Sequence, residues 1–211
     1  VQTAVLSIFF FIFMGTLLDQ FGWLHSQVQP LTVLKVLGLV LVVVGVVFVT
    51  EVFVVKQGGE SSNIGWKAVG VFAGMAGAAQ APVNGRLGVV LDSPLLSSQI
   101  SFYVGVLTLL LVVLVTKSPV KTIKLAVNSG VRNYWIFTGG LLGAMYVYGA
   151  AMLAPIIGTG QLVVFALFGQ LVGSVSIDRF GLFGAMKKDI TRGKILGLVC
   201  MLAGVVVINL V

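Results

Sequence analysis

The sequence predicts an all-α fold: a polytopic membrane bundle of seven transmembrane helices, arranged as an inverted five-helix repeat whose first copy is truncated. Three observations carry this expectation. Of 211 residues, 58% are hydrophobic and only 9% charged, with a mean hydropathy of +1.13, whereas a soluble domain carries about 25% charged residues. The apolar residues gather in seven runs of nearly membrane-spanning length. A shift of 159 positions lays the start of the chain on its end. So few charges cannot coat a globule in water. An ordinary cytosolic enzyme, a disulfide-stapled secreted domain and a disordered tail are thereby excluded.

A hydrocarbon core about 30 Å thick takes about 20 helical residues. The seven spans fall at residues 1–18, 35–55, 64–83, 95–116, 134–153, 159–177 and 193–211. The first ends at Asp19, the second carries Glu51 near its end, the fifth is closed by Pro155 and the sixth stops at Asp178. Helices satisfy their own backbone in lipid. The runs do not alternate apolar with polar residues, so a β-barrel is not indicated. The first run lacks a basic leader and an A-x-A cleavage site, so it does not read as a signal peptide.

The net charge is +7, from 13 Lys+Arg against 6 Asp+Glu. In a soluble protein this would suggest nucleic acid. Here the cations sit in short gaps between apolar runs, where they set membrane orientation, and no nucleic-acid partner is expected. Eleven of the 13 fall on one side, in the loops after the second, fourth and sixth spans; only Lys35 and Arg86 fall on the other. The positive-inside rule then makes the loops 56–65, 117–133 and 178–194 cytoplasmic in a multi-pass plasma (inner) membrane protein.

The 159-residue shift superimposes residues 5–49 on 164–208 without a gap. Asp19-Gln20-Phe21-Gly22 meets Asp178-Arg179-Phe180-Gly181, Lys35 meets Lys194, and Gly38 and Gly45 meet Gly197 and Gly204. The first two spans thus copy the last two. Residues 1–55 read as the tail of a first repeat, 56–65 as a cytoplasmic linker and 66–211 as a complete five-helix second repeat. The chain begins with Val1, which reads as a cut inside a ten-helix protein; the missing N-terminal helices are then an expected partner. A five-span unit inverts its successor. The loop after the first span has lost the charge of its copy, as inversion requires. Inverted repeats mark secondary transporters.

The segments Gln80-Ala81-Pro82-Val83-Asn84-Gly85-Arg86-Leu87-Gly88, Ser93-Pro94-Leu95, Ser101-Phe102-Tyr103-Val104-Gly105, Ala154-Pro155-Ile156-Ile157-Gly158, Gly169-Gln170 and Ser176-Ile177-Asp178-Arg179-Phe180-Gly181 together resemble the YdcZ-type family of inner-membrane exporters, in the drug/metabolite transporter superfamily. The resemblance implies membrane transport by five-helix proteins paired antiparallel or by fused ten-helix duplicates. The first span departs from it, with Phe10-Phe11 where the sixth has Gly169-Gln170.

Small and polar residues form stripes at helical spacing. Gly70, Gly74, Gly77, Gly139, Gly143, Gly169 and Gly173 are candidates for close helix packing of the GxxxG kind. Gln80, Asn84, Ser97, Ser101, Tyr146, Gln170 and Ser174 are expensive facing lipid, so they are candidates for lining a substrate cavity; the plainer alternative is that they bridge helices. Pro82 removes a backbone donor and frees a carbonyl near a helix end. Asp19 and Asp178 stand at helix C-termini, where a carboxylate opposes the helix dipole. They are gate candidates, each bonding a neighbouring loop; the alternative is a span terminator or a cap for the next turn.

One His, His25, and one Cys, Cys200, lie on separate elements. They assemble no catalytic or metal site, and no enzyme activity, cofactor or metal is expected. The function expected is secondary transport of a small metabolite or drug-like solute by alternating access, with the lipid bilayer and a small-molecule substrate as partners. The competing reading is a passive channel or a membrane scaffold.

Overall fold

The computed structural model describes residues 2–50, 64–116 and 138–210, and the regular structure among them is entirely helical. The helices are α1 (Gln2–Phe21), α2 (Val33–Val49), α3 (Ile64–Val90), α4 (Pro94–Thr116), α5 (Thr138–Ile157), α6 (Thr159–Phe180) and α7 (Arg192–Asn209). Five are long and apolar enough to cross a bilayer, at Thr3–Phe21 within α1 and in α4, α5, α6 and α7; α2 is a shorter apolar helix. The expected ends at 51–55 and 134–137, and the loops 56–63 and 117–133, lie outside the described residues.

Several helix ends differ from expectation, and each has a local cause. Both α1 and α6 pass through their aspartates and stop two residues later. A left-handed glycine follows each, Gly22 at φ 64° and Gly181 at φ 63°, the backbone form that closes a helix most readily. Asp19 and Asp178 therefore belong to last turns and do not terminate the spans. Pro82 lies inside α3, not near its end. Its missing N–H removes one helical bond, and the remaining ladder carries the helix on to Val90. Asp92, at φ 50°, then turns the chain, and the Ser93 hydroxyl accepts from Leu96 N at 3.3 Å to cap α4, with Pro94 at its first position. Pro155 likewise stays inside α5, which ends at Ile157 before Gly158 at φ 85°.

The chain forms two compact units, Val1–Val83 with Leu153–Val211, and Asn84–Met152; their boundaries fall inside α3 and α5. In the first unit α2 and α7 run antiparallel, joined through glycines. A Cβ added at Gly38 would lie 2.9 Å from Gly204 O, and one at Gly45 would lie 2.6 Å from Gly197 O. Lipid gives helices no hydrophobic drive to associate, so contact of this kind relies on close van der Waals packing between small residues. Buried Val42, Val46, Met201 and Val205 fill the seam. Helix α6 runs antiparallel to α1, with Gly15 against Gly160 and Val163. The start of α3 lies parallel to α1. A Cβ at Gly70 would meet Thr3 O at 2.9 Å, Gly74 abuts Ser7 O, and Gly77 faces the Phe11 ring.

The chain after α1 and the chain after α6 trace the same turn. In each a left-handed glycine is followed by a 3-10 turn, Trp23–His25 or Leu182–Gly184. Each holds a non-glycine residue at positive φ, Leu24 at 55° or Phe183 at 57°. Gln29 N donates to Asp19 O, and Lys188 N to Asp178 O, both at 2.9 Å. Thr32 and Thr191 then cap α2 and α7, accepting from Lys35 N at 3.3 Å and Lys194 N at 3.4 Å.

In the second unit, the end of α3 and the start of α4 form a hairpin. Gly88 admits Pro94, whose Cα would be 3.2 Å from an added Cβ. Past Ser101, α4 is exposed along its whole length.

Candidate functional site

The densest polar constellation surrounds Asp19. This side chain is buried, 5% exposed, in the last turn of α1. Because α6 runs antiparallel, its N-terminus arrives at the same level. Asp19 Oδ1 accepts from Thr159 N at 2.8 Å and from Ser26 Oγ at 2.5 Å, and Oδ2 accepts from Gly160 N at 2.6 Å. The Ser26 and Thr159 hydroxyls lie 2.8 Å apart. A carboxylate opposes the dipole of its own helix here, but it sits on the positive end of α6 and satisfies two backbone donors that α6 leaves orphaned. The expected dipole penalty is thus offset by a neighbour.

Gly158 separates α5 from α6 by a single residue, and the turn after α1 supplies both sides of that break. The last carbonyls of α5 receive side-chain donors, Gln27 Nε2 to Pro155 O at 2.5 Å and Gln29 Nε2 to Ile157 O at 2.8 Å. Gln29 Oε1 in turn accepts from Lys35 Nζ at 3.1 Å. The break leaves no room for a larger residue, since a Cβ at Gly158 would lie 2.8 Å from Asp19 Oδ2. A cavity of about 30 Å³ beside it is lined by Thr16, Asp19, Gln29, Lys35, Gly160 and Gln161, among others. That is room for a water molecule or two.

Asp178 stands differently. Its carboxylate is 30% exposed and lies 3.4 Å from Lys194 Nζ. Arg179, its sequence neighbour, pairs instead with Asp189 at 2.9 Å. The two gate candidates thus occupy the same place in the same turn, one buried on a helix N-terminus and one partly exposed beside a cation.

Of the seven cavity candidates, three come together. Asn84 is buried, its Nδ2 donates to Ser101 Oγ at 3.2 Å, and buried Ser97 donates to Asn84 O at 2.5 Å. These bonds tie α3 to α4. Gln80, Tyr146, Gln170 and Ser174 are exposed. Two larger apolar grooves, about 360 and 300 Å³, lie along α1 and α2 and are lined by none of the seven. Of the packing glycines, Gly70, Gly74 and Gly77 meet α1, whereas Gly139, Gly143, Gly169 and Gly173 have nothing within 4 Å of an added Cβ. No close helix contact among the described residues rests on those four.

Sequence reasoning missed Ser26, Gln27, Gln29, Thr159 and Gly160 as members of the Asp19 constellation. One signal was available. A Gly-Thr-Gly step between two apolar runs marks a helix start with exposed backbone donors. Nothing in the sequence pairs that step with a loop some 130 residues earlier.

The family described as "Putative inner membrane exporter, YdcZ" matches residues 1–48 and 65–207, most of the chain. No curated protein and no solved structure matches it.

Proposed function

The chain belongs to the YdcZ family of inner membrane exporters, and from that premise we propose that it exports a small metabolite or drug-like solute by alternating access between two inverted repeats. The observation that carries this reading is the α2–α7 seam. Gly38 faces Gly204, and Gly45 faces Gly197. A shift of 159 converts the first pair into the second with the partners exchanged. Two antiparallel helices that contact each other in this reciprocal way are related by a pseudo-two-fold axis perpendicular to their length. For spanning helices that axis lies in the membrane plane, the arrangement of inverted-topology transporters. The identical turns after α1 and α6 support the same division, with residues 1–55 as part of one repeat and 66–211 as the other.

In this reading the Asp19 constellation is a closed gate. It fastens the end of α1 to the α5–α6 break through a set of hydrogen bonds at the end of the Gly15–Val163 packing between α1 and α6. Asp178, in the equivalent turn, is the corresponding group at the opposite face. Gln80, Gln170 and Ser174, exposed on their helices, are retained as solute-contacting candidates.

Two measurements test the proposal. The full-length protein in proteoliposomes is expected to give saturable counterflow of a transported solute; flux that never saturates would favour a passive channel, and no flux a scaffold. In a Cys200→Ser background, a cysteine at Thr16, which lines the small cavity, is expected to label slowly and to label faster when Asp19→Asn is added. Equal labelling rates, with transport unchanged in the Asp19→Asn/Asp178→Asn double variant, would sink the gate.

A further inference from the structure

We propose that the turn between α6 and α7 is a binding site for the headgroup of an anionic phospholipid. The chain contains its own control, because the turn after α1 has the same backbone, with left-handed glycines at φ 64° and 63° and equivalent hydrogen bonds. The two turns differ in their side chains. Where the first has Val28, Gln29 and Val33, the second has Lys187, Lys188 and Arg192. The second turn and its flanks hold five cations and two carboxylates. Asp189 engages Arg179 and Asp178 engages Lys194. Lys187, Lys188 and Arg192 are left in excess, without a carboxylate partner among the described residues.

The apolar residues beside them define the kind of anion. Phe183 is 51% exposed and Met186 84% exposed, at the end of a helix apolar enough to span a bilayer. The stem of Lys187 lies against Gly181, where an added Cβ would be 2.7 Å from its Cγ, so this exposed residue covers the turn with its methylenes. An apolar tip next to three cations matches the boundary between acyl chains and phosphodiesters. A free phosphate has no use for Phe183 and Met186; a lipid headgroup uses both parts of the surface.

The test titrates purified protein in neutral detergent with short-chain phosphatidylglycerol, short-chain phosphatidylcholine and inorganic phosphate. Phosphatidylglycerol is expected to bind more tightly than phosphatidylcholine, and millimolar phosphate is expected not to displace it. Each cation removed in K187Q/K188Q should weaken phosphatidylglycerol binding about five-fold, the effect of one basic residue near an anionic surface. K187R/K188R should retain binding, M186S should weaken it, and K67Q, outside the turn, should leave it unchanged. All these positions except Lys67 are exposed, and an unchanged unfolding temperature establishes that each variant is folded. Equal binding of the two lipids, displacement by phosphate, or K187Q/K188Q indistinguishable from wild type would overturn the proposal.

Discussion

Asp19→Asn tests whether the carboxylate holds the α5–α6 break together. The wild-type side chain accepts three hydrogen bonds, two from backbone N–H groups and one from a hydroxyl. Asparagine has the same shape but only one acceptor oxygen. If that oxygen faces Thr159 N and Ser26, the amide NH2 is driven against Gly160 N. If it faces Gly160 N, the NH2 is driven against Thr159 N. In either rotamer one buried backbone donor loses its partner, at a cost of about 1–3 kcal/mol. The anion at the N-terminus of α6 also disappears, removing up to about 2 kcal/mol in a partly buried geometry. The expected loss is therefore about 2–4 kcal/mol. Asp178→Asn removes a half-exposed contact with Lys194 and should cost less than about 1 kcal/mol. Reversible unfolding of the purified protein in detergent measures both. An Asp19→Asn variant within about 1 kcal/mol of wild type, or equal in loss to Asp178→Asn, would refute the argument that burial on a helix N-terminus sets the two copies apart.

Glycines should divide by what a Cβ would meet. Gly197→Ala places its methyl 2.7 Å from Gly45 O and should cost about 1–3 kcal/mol through overpacking, whereas Gly169→Ala and Gly173→Ala enter open space and should be neutral or stabilising by up to about 1 kcal/mol from helix propensity; thermal unfolding in detergent separates them. Ser97→Ala removes the bond to Asn84 O and should lower stability by about 0.6 kcal/mol, the mean for hydrogen bonds between membrane helices, as measured by the same assay. For orientation, a cysteine at Asp92, exposed beyond the end of α3, should react with an impermeant reagent in intact cells, and one at Lys188 only after permeabilisation. The reverse pattern would invert the assignment of sides.

The parts of the fold that were legible in the sequence follow from local rules. Long apolar runs without alternation become helices because lipid offers the backbone no other partner, and seven such helices stand near the expected positions among the described residues. The ends were less legible. Asp19 and Asp178 looked like terminators because a charge ends an apolar run, yet the helix obeys its glycine, and Gly22 and Gly181 stand three positions further on. Pro82 looked like a break because it lacks an N–H, yet a helix tolerates one missing bond when its other bonds remain.

The site was legible only in halves. Asp19 could be singled out because its copy recurs at Asp178. Its role depended on which helix start lies beside it, and that is set by the antiparallel approach of α6, which brings Thr159 and Gly160 to Asp19 across some 140 residues. This also explains why two sequence-equivalent aspartates need not be equivalent in energy. Their own turns share backbone bonds, Ser26 N on Trp23 O and Gln29 N on Asp19 O in the first, Ala185 N on Leu182 O and Lys188 N on Asp178 O in the second. What differs is Ser26 within the turn, where the second copy has Ala185, and the neighbour beyond it: a helix N-terminus at one, the Lys194 side chain at the other.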